Sequence, residues 1–209
     1  RGKLRFDETN SPQNTFNSNG AGTYTFQTGT PPTGFSFDPN APTTPVWNFE
    51  WSINTDFEGS TGKNLDDYTY KLFLDSDPRE FVVNFETFDP INIPVADHAI
   101  GDNNTGNGAG SDAENSSEYA TLISQNNVAQ NSWSYEFFND SGDPVEGFDP
   151  NVKGGYLIGL SVYDDPDQDP LASSFIQINA VPEPSFIAFL GLGGLGGLLF
   201  VRRRIRSKN

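Results

Sequence analysis

The stretch VWNFEWSIN (residues 46–54) decides the fold class of this chain. Its odd positions, from Trp47 to Ile53, carry large apolar side chains, and the positions between them carry Asn, Glu and Ser. Alternation with a period of two places all the apolar side chains on one face of an extended strand. The stretch therefore predicts a half-buried β-strand whose inner face is mostly aromatic.

The same alternation recurs in seven other short segments. They are strongest at 67–75, 81–87, 132–138 and 156–162, and weaker at 23–27, 119–124 and 174–180. Gly, Pro, Asn and Asp separate the segments, as expected for turns. Eight short strands without a long helical repeat predict an all-β body, an antiparallel β-sandwich or jelly-roll with long polar loops. An open barrel is the alternative that periodicity leaves open.

The chain divides into regions of different composition. Residues 1–45 form a polar, partly ordered N-terminal segment, residues 46–180 form the β-sandwich body, and residues 181–209 form a separate C-terminal region. Within the body, residues 101–117 contain no apolar residue larger than alanine. Such a segment gains little from burial, so we predict a mobile loop there.

Aromatic side chains are the main source of a core. Hydrophobic residues make up 34% of the chain but aromatic ones 13%, and each buried ring removes about 150–250 Å² from water. Trp47, Trp51 and Trp133 occupy alternating strand positions. We therefore expect these three side chains in the core and not on a sugar-binding surface.

Charge is distributed unevenly. Residues 1–185 contain all 28 acidic residues and 7 basic ones, a net charge of −21, whereas the last 24 residues contain five basic residues and no acidic one. Nucleic-acid binding requires clustered Lys and Arg, so the acidic body argues against it. The chain has no cysteine, which excludes disulfides and thiolate chemistry. It also lacks methionine, so we expect either a cleaved signal peptide or a truncated N-terminus.

The C-terminal region has the pattern of a membrane anchor. Residues 185–201, SFIAFLGLGGLGGLLFV, carry no charge, and as a helix they would span roughly 25 Å. That length is near the lower limit for crossing a bilayer. The basic residues Arg202, Arg203, Arg204, Arg206 and Lys208 follow directly. The pattern predicts a transmembrane helix, with residues 202–209 as a basic cytoplasmic tail and the body outside.

Immediately before this span lie Val181, Pro182, Glu183 and Pro184, in the segment 181–185. Two prolines around a glutamate hold the backbone extended and accessible. The Pro-Glu-Pro triplet, the Gly/Leu-rich span and the arginine cluster, in this order, resemble a PEP-CTERM sorting domain. The resemblance to the sorting domain covers residues 181–209.

This resemblance implies a route for the protein. Members of the family are exported, tethered to the inner membrane by the C-terminal helix, and processed by an exosortase. They are delivered to the cell envelope, outer surface or extracellular matrix of Gram-negative-type bacteria, where they are associated with exopolysaccharide. The resemblance therefore implies an exosortase, the inner membrane and exopolysaccharide as partners.

Catalytic residues are hard to find in the sequence. A Ser-His-Asp triad requires a histidine, and the only one, His98, lies beside the predicted mobile loop, where we expect it to be solvated. A single histidine also excludes zinc sites that use several. Two carboxylates suffice to hydrolyse glycosides, but among 28 acids such pairs arise by chance. We therefore expect no catalytic residue and no enzymatic activity.

Calcium is the one cofactor that the sequence suggests. Asp164, Asp165, Asp167 and Asp169 place four carboxylates within six residues after a predicted strand, and Ca²⁺ prefers clustered oxygen ligands. The alternative is a solvated turn, since Asp and Pro also favour turns.

These observations predict an exported, exosortase-processed surface or matrix protein with a structural or carbohydrate-binding role. Two alternatives remain open. One is a secreted glycosidase-like hydrolase with paired carboxylates, and the other is an unprocessed single-span membrane protein.

Overall fold

A computed structural model of the protein describes residues 1–6, 12–31, 43–79, 82–93 and 97–182. These residues form ten strands, one α-helix and two 3₁₀ helices. The strands are β1 (Gly2–Phe6), β2 (Pro12–Thr15), β3 (Thr23–Gln27), β4 (Trp47–Asn54), β5 (Thr69–Asp75), β6 (Phe85–Phe88), β7 (Ala99–Gly101), β8 (Val128–Trp133), β9 (Gly154–Tyr163) and β10 (Ala172–Val181). The helix α1 is Ser116–Gln125, and the 3₁₀ helices are Leu65–Asp67 and Tyr135–Phe138.

The strands form two five-stranded sheets, which confirms the all-β fold class. The first sheet has the order β2-β1-β4-β8-β7, and the second has the order β3-β10-β9-β5-β6. Every pair is antiparallel except β3 and β10, which run parallel from Thr23 opposite Gln177 to Gln27 opposite Val181. The expectation of wholly antiparallel sheets is therefore wrong at this pair. A parallel pair needs a long connection, and here most of the body lies between the two strands.

Aromatic rings from both sheets meet in one core. On β4, Trp47 and Phe49 are 1% exposed, as their alternation predicts. The ring of Trp47 lies 5.8 Å from that of Tyr156 on β9 and 5.1 Å from that of Tyr135. Trp51 is also buried, and Trp133 is half-buried against the same cluster. The expected core placement of the three tryptophans is confirmed.

The segment 119–124 is helical, so the strand predicted there is wrong. The Asn115 side chain caps α1 by accepting hydrogen bonds from the backbone N–H groups of Ser117 and Glu118, at 3.1 and 3.0 Å. Tyr119 and Ile123 are the buried residues of this helix. Their spacing of four places them on one helix face, and it fits an alternating strand equally well.

The strand predicted at 132–138 begins and ends earlier. It is β8, Val128–Trp133, and a 3₁₀ helix follows from Tyr135 to Phe138. Tyr135 is fully buried and donates a hydrogen bond from its hydroxyl to the carbonyl of Asp75, at 3.1 Å. Phe137 is 47% exposed, so the apparent alternation from Trp133 to Phe137 does not mark one face of a strand.

The strand predicted at 81–87 is shorter, because β6 begins at Phe85. Val82 donates its backbone N–H to the carbonyl of Arg79 in a turn, at 3.2 Å. Val83 is 50% exposed and lies before the strand begins. Phe81 lies outside the described residues.

Polar hydrogen bonds organise residues 101–117. Ile100 and Ser111 exchange two backbone hydrogen bonds, at 2.9 and 2.7 Å. The buried Gln130 amide donates to the carbonyls of Gly106 and Ala109, at 2.9 and 2.8 Å. The mobility of this loop stays a prediction.

No helix among the described residues is long and apolar enough to cross a membrane. The predicted span at 185–201 and the basic cluster from Arg202 to Arg206 lie outside those residues.

Candidate functional site

Three phenylalanines meet on the outer face of the second sheet. In the strand register, Phe73 of β5 and Phe175 of β10 both lie opposite Gly159 of β9. The two rings are 5.8 Å apart, and Phe85 of β6 lies 5.5 Å from Phe73 and 6.3 Å from Phe175. We call Phe73, Phe85 and Phe175 the phenylalanine cluster.

Gly159 allows this arrangement. A β-carbon at position 159 would lie 2.2 Å from Cε1 of Phe175, well inside van der Waals contact. The ring of Phe175 therefore folds over the glycine toward Phe73. Phe175 remains 45% exposed, and Phe73 and Phe85 are half-buried. The result is an apolar patch of ring surface on an otherwise acidic body.

A groove of about 880 Å³ lies along one end of the same sheet, where β5 and β10 end and β9 begins. We call it the edge groove. Four exposed valines line it: Val82, Val83, Val152 and Val181. The polar side chains of Arg79, Lys153, Gln177 and Asn179 line it as well. Gln177 is two residues beyond Phe175 on β10, so both side chains leave the same face of the sheet. The edge groove therefore adjoins the phenylalanine cluster.

The turn after β5 is held onto the sheet by a buried carboxylate. Asp75 is 1% exposed and accepts hydrogen bonds from the backbone N–H groups of Asn84 and Asp77, at 2.9 and 3.1 Å. Its other oxygen accepts from the N–H of Leu157, at 3.4 Å. This carboxylate fixes the wall of the edge groove that carries Val82.

Two basic side chains border the edge groove. Arg79 forms a salt bridge with Asp77, and its hydrogen bonds lower the pKa of that carboxyl to about 2. Lys153 also lines the groove, immediately before β9. These are two of the seven basic residues in residues 1–185.

His98 is buried, so the expectation of a solvated loop histidine is wrong. It is 1% exposed, and its Nε2 lies 2.6 Å from the carbonyl oxygen of Pro90. Its ring packs against Trp51 and Trp133, with centroids 5.0 and 5.4 Å away. Burial lowers the pKa of His98, so the ring is neutral near pH 7. It has the surroundings of a core residue.

Asp97 and Asp112 form a pair of carboxylates near His98. The pKa of Asp97 is raised, first by burial and then by the charge of Asp112 and a hydrogen bond with it. Two adjacent carboxylates resist ionising together and can share a proton. Both residues are exposed, so the pair lies on the surface.

The four aspartates of the predicted calcium site form an exposed turn. Asp164, Asp165, Asp167 and Asp169 are all exposed, and Asp165 accepts a hydrogen bond from the N–H of Asp167, at 3.0 Å. Such local bonding is typical of an Asx turn. In the described part of the chain, no group of three or more His, Asp or Glu side chains has an arrangement that would hold a metal. The calcium site stays a prediction.

The predicted sorting segment begins where the second sheet ends. Val181 is the last residue of β10, and its carbonyl accepts a hydrogen bond from the N–H of Thr28, at 2.8 Å. Val181 and Pro182 both line the edge groove. Glu183 and Pro184 lie outside the described residues.

The fold defines the class of the body, an all-β domain with exposed apolar surface on its C-terminal strand. Comparison with known families adds that residues 180–204 match the PEP-CTERM protein-sorting motif. The chain therefore carries a PEP-CTERM sorting signal, and this signal supports an exported protein that an exosortase sorts and processes. No curated protein and no solved structure matches the chain.

Sequence reasoning missed the phenylalanine cluster, although a signal was present. On β5, Phe73 stands between Lys71 and Asp75, on the polar side of the alternation. Phe175 is likewise out of phase with Ile176 and Ile178. A large ring on the face opposite the core is a cue for a second apolar surface.

Proposed function

We propose that this protein is a non-catalytic component of the cell envelope or exopolysaccharide matrix that binds polysaccharide through the outer face of its second sheet. The observation that carries the proposal is the phenylalanine cluster. Aromatic rings offer flat apolar surface, and the apolar faces of sugar rings stack on such surfaces. The amides of Gln177 and Asn179 lie in the adjoining edge groove, where they can hydrogen-bond sugar hydroxyls.

The charge of the body restricts the ligand class. A body with a net charge of −21 repels polyanions at low salt. Uronate-rich or sulfated polysaccharides are therefore poor ligands. We propose a neutral polysaccharide, reached after the precursor has been tethered to the inner membrane and processed. The final site is the envelope, the outer surface or the matrix.

Binding to immobilised bacterial exopolysaccharides tests this proposal. We expect retention of the wild-type protein on a neutral polysaccharide, and at least about tenfold weaker binding for the double variant Phe73→Ser, Phe175→Ser. The control is Phe57→Ser, because Phe57 is 78% exposed and lies in a loop away from the cluster. Failure to bind any glycan would overturn the proposal, as would equal binding by the double variant and the control.

A glycosidase-like hydrolase is the second candidate, and the Asp97–Asp112 pair is the observation that favours it. A carboxyl group with a raised pKa is a candidate general acid, and acid-base hydrolysis of glycosides uses two carboxyl groups. Release of new reducing ends from a polysaccharide, abolished in Asp97→Asn, would support it. Release that persists in Asp97→Asn would exclude this pair as its source.

A permanently anchored, unprocessed membrane protein is the third alternative. The mass of the mature chain separates it from the processed form. A product that retains Arg202–Arg206 would contradict processing, whereas loss of these residues would support it.

A further inference from the structure

The edge groove combines exposed apolar surface with the start of the sorting motif. Val82, Val83, Val152 and Val181 are 38–50% exposed, and all four line it. Their side chains come from the turn after β5, the segment before β9 and the end of β10. Exposed apolar residues scattered singly need no explanation, but four gathered in one concave site do.

The position of the edge groove limits what can reach it. Pro182 is both a lining residue and part of the matched motif at residues 180–204. Each residue of extended chain spans at most about 3.6 Å, and the Pro-Glu-Pro triplet begins at Pro182 itself. An enzyme that acts on this motif therefore works close to the end of the second sheet where β10 finishes.

We propose that the edge groove is the docking surface for the exosortase that processes this protein. The partner surface would be apolar opposite the valines and acidic or polar opposite Lys153. The contact does not need to be strong, because the attached motif keeps enzyme and body at a high effective concentration. A second copy of the chain fits less well, since stable interfaces bury about 1,200–2,000 Å² and this groove is a small part of the surface.

Docking would make processing depend on the folded body as well as on the motif. The turn that carries Val82 and Val83 is positioned by Asp75, and β10 is held by the backbone bond between Thr28 and Val181. These elements assemble only when the second sheet has formed. The enzyme would thus distinguish folded from unfolded chains.

Processing kinetics in cells that contain the exosortase test the proposal. The full chain carrying Val82→Ser, Val83→Ser and Val152→Ser should lose its C-terminal region about tenfold more slowly than wild type. The matched control is Leu171→Ser, because Leu171 is 61% exposed and precedes β10, at the far end of that strand from the groove. The melting temperature of each processed product shows whether the body is folded. Unchanged kinetics in a folded triple variant would overturn the proposal.

A flexible spacer of about twelve Gly and Ser residues inserted after Val181 distinguishes two effects of the body on the exosortase, assistance by docking and steric obstruction. The insertion also divides the matched segment 180–204, so the spacer is placed in both the wild type and the triple valine variant. If the edge groove assists the enzyme, the spacer lowers the effective concentration, and the two spacer chains are processed at more similar rates than the two chains without it. If the body only obstructs the enzyme, the spacer speeds processing, and the proposal is wrong.

Vesicles of phosphatidylethanolamine and phosphatidylglycerol test a lipid occupant. Processed wild-type chain that binds them through the valines would assign the groove to the membrane surface and overturn enzyme docking; absence of binding supports the enzyme. Neither this assay nor the kinetics depends on glycan binding, so the two proposals can fail separately.

Discussion

The two aromatic clusters of this protein lie on opposite faces of one sheet. Between the sheets, Trp47, Tyr135 and Tyr156 are at most 2% exposed and pack ring against ring. On the outer face, Phe175 is 45% exposed and packs against Phe73. Rings in the inner cluster hold the sheets together, whereas those in the outer cluster remain available to a ligand. Phe49 also packs in the inner cluster and is 1% exposed, so burial, and not residue type, decides which task an aromatic ring performs.

The largest effect should come from the inner cluster. Trp47→Ala removes a ring that contacts both sheets, and large-to-small changes of this kind cost about 3–5 kcal/mol of unfolding free energy. Urea denaturation measures the loss. A cost similar to that of Phe57→Ala, whose side chain is 78% exposed, would contradict the assignment of Trp47 to the core.

Gly159 lies beneath the outer cluster. Substituting it should reduce the free energy of unfolding by less than Trp47→Ala does. In Gly159→Val, the new side chain collides with the ring of Phe175, and overpacking typically costs about 1–3 kcal/mol. The double variant Gly159→Val, Phe175→Ala should recover part of that loss, because the colliding ring is gone. A double-mutant cycle measures the coupling, and strict additivity would show that the two residues do not interact.

His98 should make stability depend on pH. Its pKa in the folded protein is below the usual 6.5, so below about pH 6.5 the unfolded chain binds a proton that the folded chain does not. The contribution of His98 to the free energy of unfolding is therefore complete above about pH 6.5 and is lost as the pH falls below that value. Asp97 opposes this trend, because its pKa is raised and its protonation favours the folded chain.

Melting temperatures of wild type and His98→Gln between about pH 7.5 and 5.5 test this effect. The wild-type protein should lose more stability over this interval than the variant. Parallel curves would show that His98 does not change protonation on unfolding.

The smallest stability effect should come from the outer cluster. Phe175→Ser exposes little additional surface, so we expect a cost below about 1 kcal/mol. The same change should weaken polysaccharide retention. Substitution of Trp47 should therefore affect stability more, and substitution of Phe175 should affect binding more. A large loss of stability in Phe175→Ser would show that the outer cluster is a second core.

The sequence predicted the strands whose inner face is continuous, and failed where local patterns are ambiguous. β4 is evident because Trp47 to Ile53 alternate without interruption. Tyr119 and Ile123 fit both a strand and a helix, and the Asn115 cap and tertiary packing decide for the helix. The C-terminal sorting signal was recognisable because its parts are contiguous in the chain.

The candidate site could not be predicted because it depends on pairing between distant segments. Phe73 and Phe175 are neighbours only because both pair with Gly159. The sequence of a single segment does not reveal the register in which it pairs with other strands. The burial of His98 likewise requires the carbonyl of Pro90 and the rings of Trp51 and Trp133 to converge on it.

The parallel pairing of β10 with β3 has a consequence for the order of events during biosynthesis. β10 is an inner strand, hydrogen-bonded to β9 on one side and to β3 on the other. Until residues 172–181 emerge during synthesis, β3 has no partner in its sheet and β9 has an open edge. The strand that completes the sheet is also the one that leads into the sorting motif. The last strand of the domain is thus synthesised immediately before the sorting signal that directs its export.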